Sequence, residues 1–414
     1  MPFSRRSRHV LACLAAGLAA ACNWIDLSPA GSTSSAAAEG AEIEPELLAQ
    51  AADGDLEAQY QVGLAFTGAG GHRSDLAQAL VWLSRAAEKG HAGAQGRLGG
   101  MLLDGEGTEA DPEEGLRWVQ RAARQGDAYA EYRLGLLYAA GGRDEQPDAR
   151  KAFVWMRKAA ADALPEAQVE VGRAHELGLG VDADPEKAVA WYRRAADRGS
   201  ADAQYRLGLL YDEGKGVRRD AAEAATWFRL AAEQGLAAAQ ARLGIKYTTG
   251  DGVPPRYDEA AKWSRRAAEQ DDPEGCHNLA VLYLKGFGVA QDFHQALRWT
   301  RRAAELGNSA AQNMLGTLYL TGEGVQKNAS EAERWWRLAA EQGYAPSQYN
   351  LGGMYSRGLS SDLDRKEAMD WLSRAAEQGH DGARHELKEL AAASGLEDGA
   401  RSEPQASEGG PPQD

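Results

Sequence analysis

The sequence predicts an all-α solenoid: about nine helix-turn-helix repeats of 36 residues stacked in one array, with a capping helix at each end. Three observations predict it. Trp82, Trp118, Trp155, Trp191, Trp227, Trp263, Trp299, Trp335 and Trp371 follow one another every 36 residues, with a single step of 37. A glycine recurs in phase with them at Gly63, Gly99, Gly135, Gly172, Gly208, Gly244, Gly316 and Gly352, with Ala280 in the remaining copy. Each unit carries two apolar stripes of helical period on either side of a loop, most often Gly-x-Gly.

The chain opens with Arg5, Arg6 and Arg8, then the apolar run VLACLAAGLAAA, which ends at Cys22. A basic start, a short hydrophobic core and small residues read as a signal peptide over 1–21. Twelve residues reach about 18 Å as a helix, well short of a hydrocarbon core of about 30 Å. Leu18-Ala19-Ala20-Ala21-Cys22 resembles a bacterial lipobox, although Ala19 stands where that pattern usually has leucine. The resemblance implies acylation of Cys22 and a periplasm-facing envelope lipoprotein, with Asn23 favouring the outer membrane. Ala19-Ala20-Ala21 equally suits an ordinary signal peptidase, which would leave a secreted or soluble periplasmic protein. Residues 22–44, rich in Ser, Ala, Gly and Pro, then form a flexible tether of about 25 Å.

Residues 45–54 read as a capping helix, 55–379 as the nine repeats, 380–393 as a closing helix and 394–414 as a disordered acidic tail. In the copy SADAQYRLGLLYDEGKGVRRDAAEAATWFRLAAEQG, Ala203, Leu207, Gly208 and Tyr211 share one face of a first helix, which Gly214 and Gly216 end. Ala224, Trp227, Phe228, Ala231 and Ala232 form the stripe of a second helix, ended by Gly235. Asp111-Pro112-Glu113 and Asp184-Pro185-Glu186 carry the N-cap, N1 proline and first-turn acid of a helix start. A mid-helix glycine costs about 1 kcal/mol against alanine, so its recurrence means that two helices meet there too closely for a side chain. The one extra residue falls in the loop 141–148, and Ala163 and Asp271 replace the closing glycine, Ala163 marking the looser junction. The tryptophans occupy the core stripe, whereas Trp336, beside Trp335, is an extra aromatic free to be exposed.

The pattern Ala-x-x-x-Leu-Gly-x-x-Tyr-x-x-Gly-x-Gly, then Ala-x-x-Trp-x-x-x-Ala-Ala-x-x-Gly, resembles the Sel-one-like repeat family, relatives of the tetratricopeptide repeat, over residues 55–379. The resemblance implies a right-handed superhelix of helix pairs that serves as an adaptor, in some bacterial members as a lipoprotein. By likeness to tetratricopeptide arrays, a partner binds on a concave face made by first-helix positions two, five, nine and twelve, the framework glycine being the eighth. Tyr60, Tyr129, Tyr132, Leu136, Tyr205, Leu209, His277, Asn313 and Tyr349 occupy such positions, with Tyr and Leu packing between neighbouring repeats as the competing expectation.

Signatures of chemistry are missing. His175-Glu176 and His385-Glu386 lack the second histidine of a zinc helix, and the eight histidines read as surface residues. Neither Ser-x-x-Lys nor Gly-x-Ser-x-Gly occurs. The Gly-x-Gly loops follow helix C-termini, where the dipole repels phosphate. Cys276 stands where other copies have glutamine and reads as a plain buried thiol. No metal or cofactor is expected. The net charge of −15, or −18 without the three leader arginines, argues against nucleic acid and against membrane binding other than through the lipid on Cys22. The expected function is a non-enzymatic scaffold tethered to the cell envelope that binds an envelope or secreted protein or peptide. The alternatives are an envelope enzyme or enzyme subunit acting on peptidoglycan or polysaccharide, and a freely secreted factor that engages a host.

Overall fold

The computed structural model describes residues 41–141, 146–357 and 365–400. The signal peptide, Cys22, most of the tether, the extra loop residue and the end of the tail lie outside them. The described residues are helical apart from turns, a 3-10 segment at Ala69–Gly71 and one isolated bridge between Ala41 and His72, and no β-strand occurs among them.

The chain divides into two compact units, 1–227 and 228–414. In the first, α1 (Pro45–Ala52) precedes paired helices: α2 (Leu56–Phe66) with α3 (Leu76–Glu88), α4 (Ala92–Asp104) with α5 (Pro112–Arg124), and α6 (Ala128–Ala140) with α7 (Ala149–Ala161). Then come α8 (Pro165–Leu177) with α9 (Pro185–Ala196) and α10 (Ala201–Glu213) with α11 (Ala221–Glu233), inside which the division falls. The second unit pairs α12 (Ala237–Thr249) with α13 (Tyr257–Ala268), α14 (Pro273–Lys285) with α15 (Phe293–Glu305), and α16 (Ser309–Thr321) with α17 (Ala329–Glu341). It ends with α18 (Ala345–Ser356), α19 (Arg365–Glu377) and the closing α20 (Asp381–Ala400), which runs beyond the expected 393. The end of the expected tether is tied down: the Ala41 N–H donates to the Gly71 carbonyl at 3.1 Å, and Ile43 packs against the first core cluster.

Side-chain caps start many of the helices. Asp111 and Asp184 accept from the N–H of Glu114 and Lys187 at 2.9 and 3.0 Å, and Asp75, Asp148 and Asn328 do the same for their own helices. First helices use Asp55, Asp127, Asp272 and Asn308, and also the imidazole Nδ1 of His91 and His380. Those two histidines are therefore caps. His175 is a core residue at 6% exposure, set edge-on to Phe153, so the surface expectation is corrected for it.

Within a repeat the framework glycine meets the residue after the tryptophan. A Cβ on Gly63 would lie 2.8 Å from Leu83, on Gly99 2.7 Å from Val119, on Gly316 2.6 Å from the Trp336 indole, and on Gly352 2.5 Å from Leu372. Leu83, Val119, Tyr192 and Leu372 are completely buried. Where Ala280 replaces the glycine, the residue after the tryptophan is the short Thr300. Trp336 belongs to this set: it is 3% exposed and donates Nε1–H to the Asn313 carbonyl at 3.0 Å, contrary to the expected exposure. The periodic tryptophans lie one residue further out. Trp263, Trp335 and Trp371 are buried, but Trp82, Trp118, Trp155, Trp191, Trp227 and Trp299 are half-buried.

Neighbouring repeats are joined by glutamines. Gln59, Gln95, Gln168 and Gln204 donate Nε2–H to the carbonyl eight residues earlier at 2.9 to 3.2 Å, and Gln240, Gln312 and Gln348 do so at 3.0 to 3.1 Å. Those carbonyls lie in the last turn of the preceding helix, where each also accepts from the backbone N–H three residues on. Gln59 reaches Ala51 of α1 in this way, so the capping helix takes the place of a second helix. A further glutamine, 30 residues on, donates to the first one's Oε1 in the pairs Gln125–Gln95, Gln270–Gln240, Gln342–Gln312 and Gln378–Gln348, at 2.7 to 2.9 Å. Each such bond is worth about 1 kcal/mol net. Two copies depart from the pattern. Cys276 Sγ sits 3.7 Å from the Ala268 carbonyl, and Glu131, 5% exposed, leaves its Oε2 without a hydrogen bond.

Candidate partner-binding face

A helix exposes one stripe, and packing decides which one. Position five of the first helices turns into the contact with the next first helix. Tyr60 stacks on His91 with ring centres 4.6 Å apart, and Tyr349 on His380 at 4.5 Å. Tyr132 is 9% exposed inside the cluster of Met156, Ala159, Ala160 and Val171, and burial raises its pKa. Asn313 Oδ1 accepts from Ser347 Oγ at 2.9 Å and Asn350 Nδ2 at 2.8 Å. His277 is half-buried, and loss of hydration lowers its pKa. Tyr205 is half-buried. Tyrosine thus packs between repeats at Tyr60, Tyr132 and Tyr349, and Tyr132 is withdrawn as a contact residue.

Positions two, six, nine and thirteen are exposed or half-buried, apart from the buried Arg133, Gly100 and Gly353. Position thirteen is exposed at Asp104, Ala140, Leu177 and Glu213, whereas position twelve is half-buried at Leu103, Ala139, Glu176 and Asp212. The expected stripe is therefore displaced by one residue at its second and fourth positions. Tyr129, Leu136 and Leu209 stay within it, half-buried, with Tyr129 lying under the Arg97 guanidinium at 4.0 Å.

In the first unit this face alternates charge with apolar surface. Arg133 pairs with Asp104 of the preceding first helix at 2.8 Å, Arg173 with Glu170 at 2.6 Å, and Arg206 with Asp202 at 3.0 Å. Burial raises the Glu170 pKa against the pull of Arg173. The Nε atoms of Arg97 and Arg173 and the Oε2 of Glu166 are buried yet make no hydrogen bond among the described residues. Leu177, 53% exposed, stands beside them on α8. In the second unit the same stripe carries fewer charges: Arg242 pairs with Glu274 at 3.3 Å and Lys285 and Arg357 stand at position thirteen, among Asn278, Val281, Met314, Thr317 and Asn350.

A cleft of about 520 Å³ beside Trp299 holds Glu269, Asp271 and Glu305, but Asp271 accepts from Arg302 at 2.7 Å, which holds its carboxyl below the usual range. A general acid needs the opposite shift. Cys276 is fully buried and its thiol is pushed up to about 11, chiefly by burial. Among the described residues no group of three His, Cys, Asp or Glu is placed to hold a metal, and no helix is long and apolar enough to cross a membrane.

The glutamine joints were not read from the sequence, and the buried residue after the tryptophan was read only in the copy with Phe228. Both columns repeat in it, and the glutamine column was visible once Cys276 stood out.

The Sel1 repeat family model matches nine segments: 56–91, 92–127, 128–163, 165–200, 201–236, 237–272, 273–308, 309–344 and 345–380. Among solved structures, c5321, a protective antigen of uropathogenic Escherichia coli strains with an SLR fold, is 34% identical, the match covering 83% of this chain and 73% of that one at a TM-score of 0.66. A Sel1 repeat protein from Oxalobacter formigenes is 30% identical over 90% of this chain and 99% of that one, with a TM-score of 0.56. No curated protein matches the chain. Proteins built of such repeats are generally protein-interaction scaffolds, and the fold is typically non-enzymatic. With nine matched segments in register with its helix pairs and 34% identity to c5321 across most of its length, the chain belongs to the Sel1 repeat family.

Proposed function

We propose that the chain is a non-enzymatic scaffold held at the bacterial cell envelope by acyl chains on Cys22, and that the outward stripe of its first helices binds an envelope or secreted protein. The observation that carries the binding site is the set of buried polar atoms on the first-unit stripe that have no hydrogen-bond partner among the described residues, at Arg97, Glu166 and Arg173, next to exposed Leu177. Buried polar groups are normally satisfied, and a polypeptide laid along the stripe offers both N–H and C=O groups. The ordered ion pairs hold the arginine side chains in place, which lowers the entropic cost of docking. Antibody access suits an envelope or exported protein, and the relative c5321 is described as a protective antigen.

Two measurements test the two halves. Radiolabelled palmitate should enter the wild-type protein and not Cys22→Ser; equal labelling removes the anchor. Leu177→Asp with Leu209→Asp should abolish capture of a crosslinked protein partner while circular dichroism stays unchanged; undiminished capture removes the stripe.

A further inference from the structure

Net charge conceals a segregation within the first unit. Its first helices α2, α4, α6, α8 and α10 carry four Arg against nine Asp and Glu, whereas the second helices α5, α7 and α9 carry ten Lys and Arg against three Glu. All ten of those cations are exposed. Within the first unit the excess belongs to these three helices, since α3 carries one charge of each sign. It is also ordered. Arg121, Lys158 and Arg194 lie over the half-buried rings of Trp118, Trp155 and Trp191 at 5.1, 3.9 and 4.5 Å from their centres. Between the cations two aliphatic side chains face out, Leu116 at 37% and Val154 at 47% exposure.

We propose that this second-helix face docks on an anionic lipid leaflet. The surface is complementary in charge to acidic headgroups. Its other components separate a leaflet from an acidic polypeptide: indoles favour the headgroup level, and exposed Leu and Val gain by entering the acyl boundary beneath it. An acidic peptide needs the cations alone. Docking through this face would leave the stripe of the first helices for a partner. The inference goes beyond the scaffold reading and stands or falls separately, since it involves neither that stripe nor acylation. It also revises the expectation, drawn from net charge, that membrane contact would come through the lipid on Cys22 alone.

The test uses full-length Cys22→Ser protein, so that no acyl chain contributes, sedimented with vesicles of phosphatidylcholine with or without about one third phosphatidylglycerol. The account expects partitioning at least tenfold stronger into the anionic vesicles, weakening with salt. Arg117→Glu with Arg157→Glu should reduce that preference about tenfold, while Arg266→Glu with Arg374→Glu in the second unit should change it less than twofold. Circular dichroism and urea midpoints verify that each variant is folded. Equal partitioning into both vesicles overturns the proposal, as does a preference that survives Arg117→Glu with Arg157→Glu. Binding to polyglutamate or to nucleic acid without binding to vesicles also overturns it, and assigns the face to an acidic polymer.

Discussion

Replacing Glu131 with glutamine should make the protein more stable at neutral pH. In seven other repeats a glutamine at this position donates to the carbonyl eight residues before it, at 2.9 to 3.2 Å. An ionised Glu131 has no proton to give, and its Oε2 is buried without a hydrogen bond. Restoring the bond is worth about 1 kcal/mol, and relieving an unsatisfied buried acceptor about 1–3 kcal/mol, so a gain of about 2–4 kcal/mol is expected at pH 7.5. Burial raises the Glu131 pKa, Lys158 partly opposing it. The folded chain therefore binds this proton more tightly than the unfolded chain, whose glutamate titrates near about 4.3. The stability contributed by the protonated group is complete below that value and is lost as pH rises through the folded pKa. Glu131→Gln does not suffer this loss, so its advantage should be largest at neutral pH and shrink towards zero near pH 4. Urea unfolding followed by far-UV circular dichroism, wild type beside variant at several pH values, measures the difference. A gain that is absent at pH 7.5, or equal at every pH, would refute the reasoning.

Gly316→Ala brings a Cβ within 2.6 Å of the Trp336 ring and should cost about 1–3 kcal/mol despite better helix propensity, and pairing it with Trp336→Leu should recover much of the loss in thermal unfolding. Ala163 holds a φ of 69°, so Ala163→Gly should raise the urea midpoint, by up to about 1 kcal/mol in free energy, and a fall would show the residue is unstrained. Cys276 should react with a thiol reagent orders of magnitude more slowly in the native protein than in urea, because it is buried and its thiol is pushed up to about 11; rapid native labelling would contradict the packing.

The repeat and its helix pairs were legible because 36-residue spacing and helical periodicity are properties of the sequence alone. What escaped was the rotation of each helix about its axis. Trp is larger than the residue after it and dominates any apolar stripe, yet Leu83, Val119 and Leu372 face the framework glycine while most of the tryptophans shield the edge with a cation on the ring. A rotation of one residue, about 100°, separates those arrangements. The same ambiguity assigned Tyr132 to the partner-facing stripe, when packing against Met156, Ala159 and Ala160 of its own repeat and Ala167 and Val171 of the next buries it. Glutamine, commonly a surface residue, gave no hint of burial until its carbonyl partner was in view.

The most direct test of the account is partner capture from intact cells by crosslinking, with three proteins side by side: wild type, Leu177→Asp with Leu209→Asp on the first-helix stripe, and Arg117→Glu with Arg157→Glu on the second-helix face. The account predicts one stoichiometric protein partner, kept by the second-helix variant and lost by the first-helix variant. Retention by the first-helix variant, or loss by the second-helix variant alone, would contradict it.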